Sequence, residues 1–197
     1  MEIQQRGGRK MSGKRCMGCM NEQKTQYTVC PYCGLKAETC LLYTSEHMIK
    51  VLMICQGNIC RSPMAEFILK DMVKKKGMED SFLIASCATS REEIGNSLHP
   101  GARAKLDEMG IPHKKRAAVQ LTKEDYTTYD YLLCMDQWNI NNVKRIIGHD
   151  PKHKVHLLLE YAGVKRDIAD PWYTGNFDVT YDDIVQGCEA FLEELGV

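Results

Sequence analysis

The sequence lacks an excess of either charge, a long apolar run and any spacing of histidines suited to a metal. Its 26 Lys and Arg residues balance 26 Asp and Glu residues, so the net charge gives no reason to expect a nucleic-acid partner. No stretch reaches the roughly 18 apolar residues that a membrane span requires, and residues 1–14 are too polar for a secretory signal. We therefore expect neither a nucleic acid nor a membrane as a partner.

Cysteine, in contrast, is abundant, with ten residues in a chain of 197. A secreted scaffold held by disulfides would be a smaller chain with an export signal. The composition instead favours a reducing, cytoplasmic location, with cysteines used for metal binding and for catalysis. Five cysteines precede residue 48 and five follow it: Cys16, Cys19, Cys30, Cys33 and Cys40, then Cys55, Cys60, Cys87, Cys134 and Cys188.

After residue 48 the chain alternates between strand-like and helix-like segments. Apolar runs predict strands at residues 50–54, 81–87, 129–135 and 154–159. Helices are predicted at residues 100–109 and 139–147. Two more are predicted to open at Ser62-Pro63, with Ser62 as the N-cap, and at Thr180, where Thr180-x-x-Asp183 resembles a capping box. This alternation predicts an α/β fold, a four-stranded parallel sheet with helices on both faces.

The most informative segment lies between the first predicted strand and the first predicted helix. It reads Cys55-Gln56-Gly57-Asn58-Ile59-Cys60-Arg61-Ser62-Pro63. Ligands bind at this end of a strand in open α/β sheets, where backbone N–H groups and a helix N-terminus can surround an anion. The helix dipole and Arg61 favour negative charge, so we expect Cys55 to be a thiolate near neutral pH. Arg61 can hold a tetrahedral oxyanion through two parallel hydrogen bonds. The segment therefore predicts a nucleophilic cysteine rather than a buried structural one.

A thiolate that attacks phosphorus needs an acid to protonate the leaving oxygen, and Asp170-Pro171-Trp172-Tyr173 offers one. Pro171 stiffens the backbone beside the Asp170 carboxyl group. The rings of Trp172 and Tyr173 suit an aryl leaving group, such as the phenol of tyrosine. By itself this string is typical of a loop with packed rings. Together with the Cys55 segment, it predicts a general acid and a substrate cleft.

Three segments resemble the low-molecular-weight protein tyrosine phosphatase family, over Met48–Val197. They are VLMICQGNICRSPMAEFIL, LTKEDYTTYDYLLCMD and DIADPWYTGNFDVTY. The resemblance implies a four-stranded parallel sheet flanked by helices. It also implies hydrolysis of phosphotyrosine and small aryl phosphates through a cysteinyl-phosphate, without a cofactor for catalysis. Cys55 would be the nucleophile, Arg61 the ligand of the phosphate and transition state, and Asp170 the general acid and then the general base. We expect a cytoplasmic monomer that acts on phosphotyrosine-containing proteins.

The same resemblance gives supporting roles to the rest of the loop. The expected phosphate-binding residues are Gln56, Gly57, Asn58, Ile59, Cys60 and Ser62. Asn58 would hold the shape of the loop, Ser62 would support the thiolate, and Ser86 would lie beneath the loop. Two roles remain open for Cys60, which either forms a protective disulfide with Cys55 or is a small buried side chain.

Two departures from the family pattern lie close to the loop. The segment Ser90-Arg91-Glu92-Glu93 lacks the aromatic residue that often walls the cleft, and Arg116 stands where a histidine is common. Protein-arginine phosphatases of this fold, an alternative, tend to carry Thr where this chain has Ile59. Arsenate reductases, another alternative, use an added pair of later cysteines, whereas the later cysteines here are single. A zinc-ribbon adaptor with an inactive phosphopeptide-binding domain would lack Cys55, Arg61 or Asp170, and all three are present.

The segment before residue 48 is predicted to be separate from the phosphatase-like domain of residues 48–197. Residues 1–15 are interpreted as a disordered lead. In residues 16–39, the pairs Cys16-x-x-Cys19 and Cys30-x-x-Cys33 favour a structural zinc and resemble a zinc-binding segment found ahead of some bacterial serine/threonine kinases. Residues 40–47 are an ordinary linker or an artificial junction, because CLLYTS is what a common sequencing-library transposon end encodes in one frame.

Overall fold

The computed structural model describes residues 14–16, 22–23, 42–43 and 48–197. Spatial proximity divides the chain into two compact units, Met1–His47 and Met48–Val197. In the first unit, β1 (Lys14–Cys16), β2 (Glu22–Gln23) and β3 (Leu42–Tyr43) form an antiparallel sheet in the order β2-β1-β3. The side chains of the four cysteines predicted to bind zinc lie outside the described residues, as do most residues of the predicted lead and linker.

The second unit is built on a parallel sheet of four strands in the order β5-β4-β6-β7. The strands are β4 (Ile49–Cys55), β5 (Phe82–Ala88), β6 (Tyr131–Cys134) and β7 (Val155–Leu157). Side chains of β4 alternate between two apolar clusters, with Val51 and Met53 in one and Leu52 and Ile54 in the other. Burial on both faces explains why β4 is an uninterrupted apolar run. The predicted parallel sheet is confirmed.

Helices cover both faces of this sheet, as predicted. They are α1 (Arg61–Lys75), α2 (Pro100–Glu108), α3 (Asp125–Thr128), α4 (Gln137–Ile147), α5 (Pro171–Thr174) and α6 (Phe177–Glu194). The cluster around Val51 includes Phe67 of α1 and Phe191 of α6, and the cluster around Leu52 includes Ile140 of α4. Among the helices of the described residues, none combines the length and the apolar character that crossing a membrane requires.

The predicted N-cap of the first helix is wrong. The helix α1 begins at Arg61, after Cys60, and no side chain caps it. Ser62 lies inside the first turn, where its hydroxyl oxygen is 3.0 Å from Cys55 Sγ. The first N–H groups of α1 therefore have no capping side chain that competes with an anion for them.

The predicted start of the last helix is also wrong, by three residues. The helix α6 is capped by Asn176, whose side chain accepts a hydrogen bond from the Val179 N–H at 3.1 Å. Thr180 lies within the helix, and its hydroxyl donates to the carbonyl of Ala169 at 3.1 Å. The sequence around Thr180 has a capping pattern, but this tertiary contact gives the hydroxyl a different partner. The bond also links α6 to the segment that carries the candidate general acid.

Candidate active site

The candidate site lies in the loop between β4 and α1, at the carboxyl edge of the sheet. Asn58 has a left-handed backbone, with φ of 57°, which lets the loop turn sharply between the strand and the helix. Neighbouring segments hold the loop through three backbone hydrogen bonds of 2.9 Å each, from Thr89 N to Cys55 O, from Ser90 N to Gln56 O and from His99 N to Ile59 O. The loop is therefore a fixed part of the fold.

The Cys55 sulfur lies at the bottom of this loop, and its residue is 3% exposed. The Asn58 N–H donates a hydrogen bond to Cys55 Sγ at 3.2 Å, and Ser62 Oγ lies 3.0 Å from the same sulfur. The helix α1 begins six residues later, at Arg61. Hydrogen bonds and the positive end of a helix dipole both stabilise a negative sulfur.

Beneath the loop lies a buried polar cluster, which we name the loop floor: Asn58, Ser62, Glu66, Ser86 and Arg116. Asn58 Nδ2 donates to Ser62 Oγ and Ser86 Oγ, both at 2.9 Å. Asn58 Oδ1 accepts from Arg116 Nη2 at 2.6 Å and from the Val119 N–H at 3.2 Å. Ser86 Oγ in turn donates to Glu66 Oε2 at 2.6 Å. Asn58 thus has four hydrogen-bond partners for its side chain, and the loop above it has one stable shape.

Arg61 is 2% exposed and is held by acidic partners. Its Nη1 donates to Asp136 Oδ2 at 2.5 Å and to the carbonyl of Ile168 at 3.2 Å, and its Nη2 donates to Asp170 Oδ2. Burial opposes the cation, but the negative charges of Cys55, Asp170 and Asp136 raise the pKa of the Arg61 guanidinium. Within the described residues, Arg61 Nε has no hydrogen-bond partner, so this buried N–H is available to an oxyanion in the loop.

Asp170 stands at the edge of the site, directly before α5. Its Oδ1 accepts a hydrogen bond from the Trp172 N–H at 3.1 Å, so Asp170 is the N-cap of this short helix. Trp172 and Tyr173 are 55% and 77% exposed. The ring of His99 meets Trp172 edge-on at 5.6 Å between centroids. The carboxyl group is therefore oriented by its own backbone, beside two accessible aromatic rings.

The loop and Asp170 enclose a cavity of about 130 Å³. Its lining residues are Cys55, Gln56, Gly57, Ile59, Cys60, Arg61, Glu92, Glu93, Asp170, Trp172 and Tyr173. All the residues that the sequence predicted for catalysis, phosphate binding and the cleft line this cavity, except Asn58 and Ser62, which lie in the loop floor. Among the described residues, no group of three or more His, Cys, Asp and Glu side chains could hold a metal ion.

The family profile for low molecular weight phosphotyrosine protein phosphatases matches residues 50–197. The chain belongs to this family. Its phosphatase domain is therefore a hydrolase that acts on phosphotyrosine, as the sequence predicted. The family match begins after residue 49, so it does not include the segment predicted to bind zinc.

Curated relatives and solved structures agree with this membership. The low molecular weight protein-tyrosine-phosphatase YfkJ of Bacillus subtilis is 37% identical over 150 residues, covering 75% of this chain and 96% of that protein. The human low molecular weight phosphotyrosine protein phosphatase is 38% identical over 149 residues, covering 73% and 94% of the two chains. The crystal structure of YfkJ superposes with a TM-score of 0.72 over 75% of this chain and 94% of that one, at 38% identity. A Drosophila arginine phosphatase has a TM-score of 0.69 at 29% identity, over 75% and 98%.

Two charged residues of this phosphatase's site were missed in the sequence. Asp136 contacts Arg61 from the carboxyl end of β6, and its other oxygen caps α4 by accepting from the Asn139 N–H at 2.6 Å. Glu66 lies in α1, where its sequence neighbours predict an ordinary helix surface, yet it is 7% exposed. An acid after a predicted strand was a usable signal for Asp136, because ligands bind at that edge. Nothing local marked Glu66.

Cys60 lies in the last position before α1, with 4% of its surface exposed. Burial raises the pKa of its thiol to about 12, and the negative charges of Asp170 and Cys55 add to the shift. Cys60 is therefore a protonated thiol at neutral pH. All five cysteines of residues 48–197 are free thiols.

Proposed function

We propose that this phosphatase hydrolyses phosphotyrosine and small aryl phosphates through a phosphate ester of Cys55. The observation that supports this most directly is the position of the Cys55 sulfur. It lies at the bottom of the cavity, 3.2 Å from a backbone N–H donor and 3.0 Å from the Ser62 hydroxyl. A cysteine in such surroundings is poised as a thiolate nucleophile rather than as packing material.

In the first step, the substrate phosphate occupies the loop and takes over Arg61 from Asp170. A phosphate dianion is a stronger partner for a guanidinium than one carboxylate, so Asp170 is released to face the leaving group. The Cys55 sulfur attacks phosphorus while the bond from phosphorus to the phenolic oxygen breaks. Once Arg61 has left it, Asp170 takes up a proton from solvent and gives that proton to the phenolic oxygen, so tyrosine leaves as a neutral phenol.

In the second step, Asp170 acts as a base on the cysteinyl-phosphate. Its carboxylate removes a proton from water, and the resulting oxygen attacks phosphorus. The bond from sulfur to phosphorus breaks, inorganic phosphate leaves and Cys55 returns to a thiolate. Backbone N–H groups and Arg61 hold the three non-reacting phosphoryl oxygens in both steps. The scheme uses only groups of this chain and water, and it needs no cofactor.

The walls of the cavity support tyrosine as the substrate residue. Ile59, 8% exposed, packs with Cys60 and Ala118, and gives the cavity an apolar side. Trp172 and Tyr173 add aromatic surface to the lining. A phenyl ring fits such walls, because its faces and edges can pack against the rings of Trp172 and Tyr173 and against Ile59.

The test is a comparison of Cys55→Ser, Arg61→Lys and a control, Cys188→Ala. Cys188 is also fully buried, but it lies in α6, away from the cavity. Cys55→Ser should lose all measurable turnover of p-nitrophenyl phosphate and still bind vanadate. Arg61→Lys should be severely impaired, because an ammonium group cannot reproduce the planar pair of donors, and Cys188→Ala should retain the wild-type rate. Phosphopeptides of tyrosine, serine and arginine, with arsenate reduction in parallel, establish the substrate. Turnover by Cys55→Ser, or a preference for phosphoarginine or arsenate, would contradict the proposal.

The cellular setting is part of the same proposal: a cytoplasmic monomer that acts on phosphotyrosine-containing proteins. Five free thiols in residues 48–197 support a reducing compartment, where such cysteines stay unpaired. Sedimentation at several concentrations checks the monomer, and a mass that doubles with concentration would contradict it.

For residues 16–33 we propose a structural zinc held by Cys16, Cys19, Cys30 and Cys33. The support is the spacing of the two cysteine pairs, which is that of four-thiolate zinc sites. The full chain should contain one zinc ion by elemental analysis, and replacement of Cys30 and Cys33 by Ser should remove it. An unchanged metal content in that variant would overturn the assignment.

A further inference from the structure

We propose that this phosphatase prefers phosphotyrosine with basic neighbours in the substrate chain, because Glu92 and Glu93 make the mouth of the cavity acidic. The inference rests on the proposed phosphotyrosine hydrolysis and adds the class of sequence around the phosphotyrosine. Both glutamates belong to the segment Ser90-Arg91-Glu92-Glu93, which lacks the aromatic residue that often forms a wall of the cleft in this family.

Both side chains are held close to the catalytic loop. A Cβ placed on Gly57 would lie 3.1 Å from Glu93 Cγ, so the stem of Glu93 covers this glycine. The Glu93 carboxylate accepts a hydrogen bond from Asn96 Nδ2 at 2.6 Å. Gln56 Nε2 lies 3.5 Å from Glu92 Oε2. The two carboxylates therefore have defined places at the mouth.

The carboxylates of these two glutamates are outside the ion pairs of the phosphatase domain. Within residues 48–197, neither Glu92 nor Glu93 forms an ion pair with a Lys, Arg or His side chain. Among the described residues that line the cavity, the one basic side chain is Arg61, which is buried and already contacts two aspartates. The cavity floor is thus suited to a phosphate, while the mouth carries an excess of negative charge.

A peptide must cross this mouth when its phosphotyrosine ring enters the cavity. The residues on either side of the phosphotyrosine then lie within about one Debye length, roughly 10 Å at 0.1 M salt, of both carboxylates. Two unit charges about 7 Å apart in water interact enough to change a rate by about threefold. Exposed Trp172 and Tyr173 add aromatic faces that attract Lys and Arg and give nothing to Glu. Basic neighbours are therefore attracted, and acidic neighbours are repelled.

The experiment uses two phosphotyrosine peptides that differ at the two residues beside the phosphotyrosine, Lys in one and Glu in the other. At low salt, wild type should hydrolyse the Lys peptide with a kcat/KM about tenfold higher than that for the Glu peptide. Several charge pairs, each changing the rate by about threefold, account for this ratio. In about 1 M salt, where the Debye length is about 3 Å, the ratio should approach one. The double variant Glu92→Gln/Glu93→Gln should lower the ratio to about two at low salt.

The matched control is the double variant Glu79→Gln/Asp80→Asn, which removes the same two charges from the full chain. Both residues are exposed and precede β5, whereas Glu92 and Glu93 follow it. The seven residues of β5 separate the two sites by about 20 Å. This control should keep the wild-type ratio, because its charges lie far from the mouth.

A ratio near one in wild type, or an equal fall in both variants, would overturn the preference for basic neighbours while leaving phosphotyrosine hydrolysis intact. Salt dependence of the wild-type ratio is independent of whether either variant folds. If wild type hydrolyses neither peptide, the proposed function fails and the inference fails with it.

Discussion

The floor and the mouth of the catalytic cavity are built in opposite ways. The loop floor is buried: Asn58 and Ser62 have no exposed surface, and Ser86 is 4% exposed. Its side chains come from distant parts of the chain and are bound to one another. The mouth consists of Glu92, Glu93, Asp170, Trp172 and Tyr173, which are partly or largely open to solvent. Within residues 48–197, the side chain of each mouth residue makes at most two hydrogen bonds, whereas that of Asn58 makes four.

This difference separates two tasks. A buried polar network has one satisfied arrangement, since any other leaves a donor or acceptor without a partner at a cost of about 1–3 kcal/mol. The loop floor can therefore fix the sulfur and the phosphate-binding N–H groups before substrate arrives. An exposed mouth has no such constraint, and its residues can differ without disturbing the loop. We expect substitutions in the floor to change kcat and those in the mouth to change which substrate is preferred.

Asp170 is the mouth residue that should break this rule, with the largest effect. Because it donates the proton to the leaving oxygen, Asp170→Asn should lower kcat by about 10²- to 10⁴-fold for phenyl phosphates with poor leaving groups. Good leaving groups need no proton, so their rates should fall much less. Kinetics over a series of substituted phenyl phosphates measures this dependence on leaving-group pKa.

The control for Asp170 is Asp178→Asn, an exposed acid of α6 that pairs with Lys105 at 2.7 Å. This variant should show the same dependence of kcat on leaving-group pKa as wild type. The same dependence on leaving group in wild type and in Asp170→Asn would show that another group is the acid.

Asn58 tests the floor. Asn58→Gly keeps the left-handed backbone without strain but removes the hydrogen bonds to Ser62, Ser86, Arg116 and Val119. A loop displaced by about 1 Å can lose about 100-fold in rate, so we expect kcat to fall by about that factor. Asn58→Ala should match it in kcat and unfold more easily, by about 1–2 kcal/mol, because Ala is strained in this conformation.

His153 offers the matched control for Asn58. It is the other non-glycine residue with a positive φ, 49°, in residues 48–197, and it lies in an exposed turn. His153→Gly should leave kcat unchanged. If Asn58→Gly also kept the wild-type kcat, the hydrogen bonds of the floor would not be what shapes the loop.

Cys60 gives a smaller effect that depends on pH. If peroxide converts Cys55 to a sulfenic acid, a Cys60 thiolate can attack that sulfur, form the disulfide and release hydroxide. With Cys55 as a thiolate, burial and the charges of Asp170 and Cys55 raise the Cys60 pKa to about 12; burial and Asp170 still act after Cys55 is oxidised, so the pKa stays above its usual value of 9.0. Below that value the thiolate fraction rises tenfold for each pH unit, so disulfide formation should accelerate about tenfold per unit between pH 7 and 9.

Mass spectrometry of quenched samples follows this disulfide through the loss of two hydrogens. Cys60→Ser is the control, since it cannot form the bond and should pass to the sulfinic acid. A rate independent of pH would mean that Cys60 does not attack as a thiolate, which leaves its role as a small buried side chain.

The sequence predicted most of the site features that lie in one contiguous segment, and few of the contacts between residues that are distant in the chain. The nucleophile, the loop and Arg61 lie within seven residues, and a strand before them and a helix after them have clear local patterns. The roles of Glu66 and Asp136 depend on partners that are distant in the chain, Ser86 and Arg61 respectively. Ser62 shows the limit most clearly, because it looks like a helix cap and is instead a neighbour of the catalytic sulfur. Caps depend on which partner is nearer, and that is decided by tertiary structure.

Arg116 is a second residue whose role the local sequence did not reveal, because its segment predicts an exposed side chain. Its segment, His113-Lys114-Lys115-Arg116, has the pattern of a solvated basic face. Yet Arg116 is half-buried and donates to the carbonyl of Asn58 at 2.8 Å as well as to its side chain. Burial lowers the pKa of this guanidinium, and the charge of Glu66 opposes that shift. Only the fold distinguishes this cation from the lysines beside it.

The smallest effect is expected from the residues outside the phosphatase domain. Every contact described for the loop floor and the mouth is made by residues of Met48–Val197. The strand and the helix that flank the loop also lie within this unit. A zinc-bound segment as short as residues 16–33 would have almost no apolar core, so its folding should depend on the metal. Removing the metal should therefore leave the parallel sheet and the cavity intact.

We accordingly expect Met48–Val197, expressed alone, to have a kcat/KM within about twofold of that of the full chain. A tenfold loss would instead correspond to an activation barrier higher by about 1.4 kcal/mol. A chelator should release the zinc of the full chain without changing kcat/KM or the melting of the phosphatase domain, and it should have no effect on the shorter protein. Phosphatase rates and thermal melting of both proteins, with and without chelator, provide the measurement. An insoluble shorter protein, or one with a tenfold lower rate, would mean that the phosphatase domain depends on residues 1–47. Residues 1–47 would then be a third region, beside the floor and the mouth, on which catalysis depends.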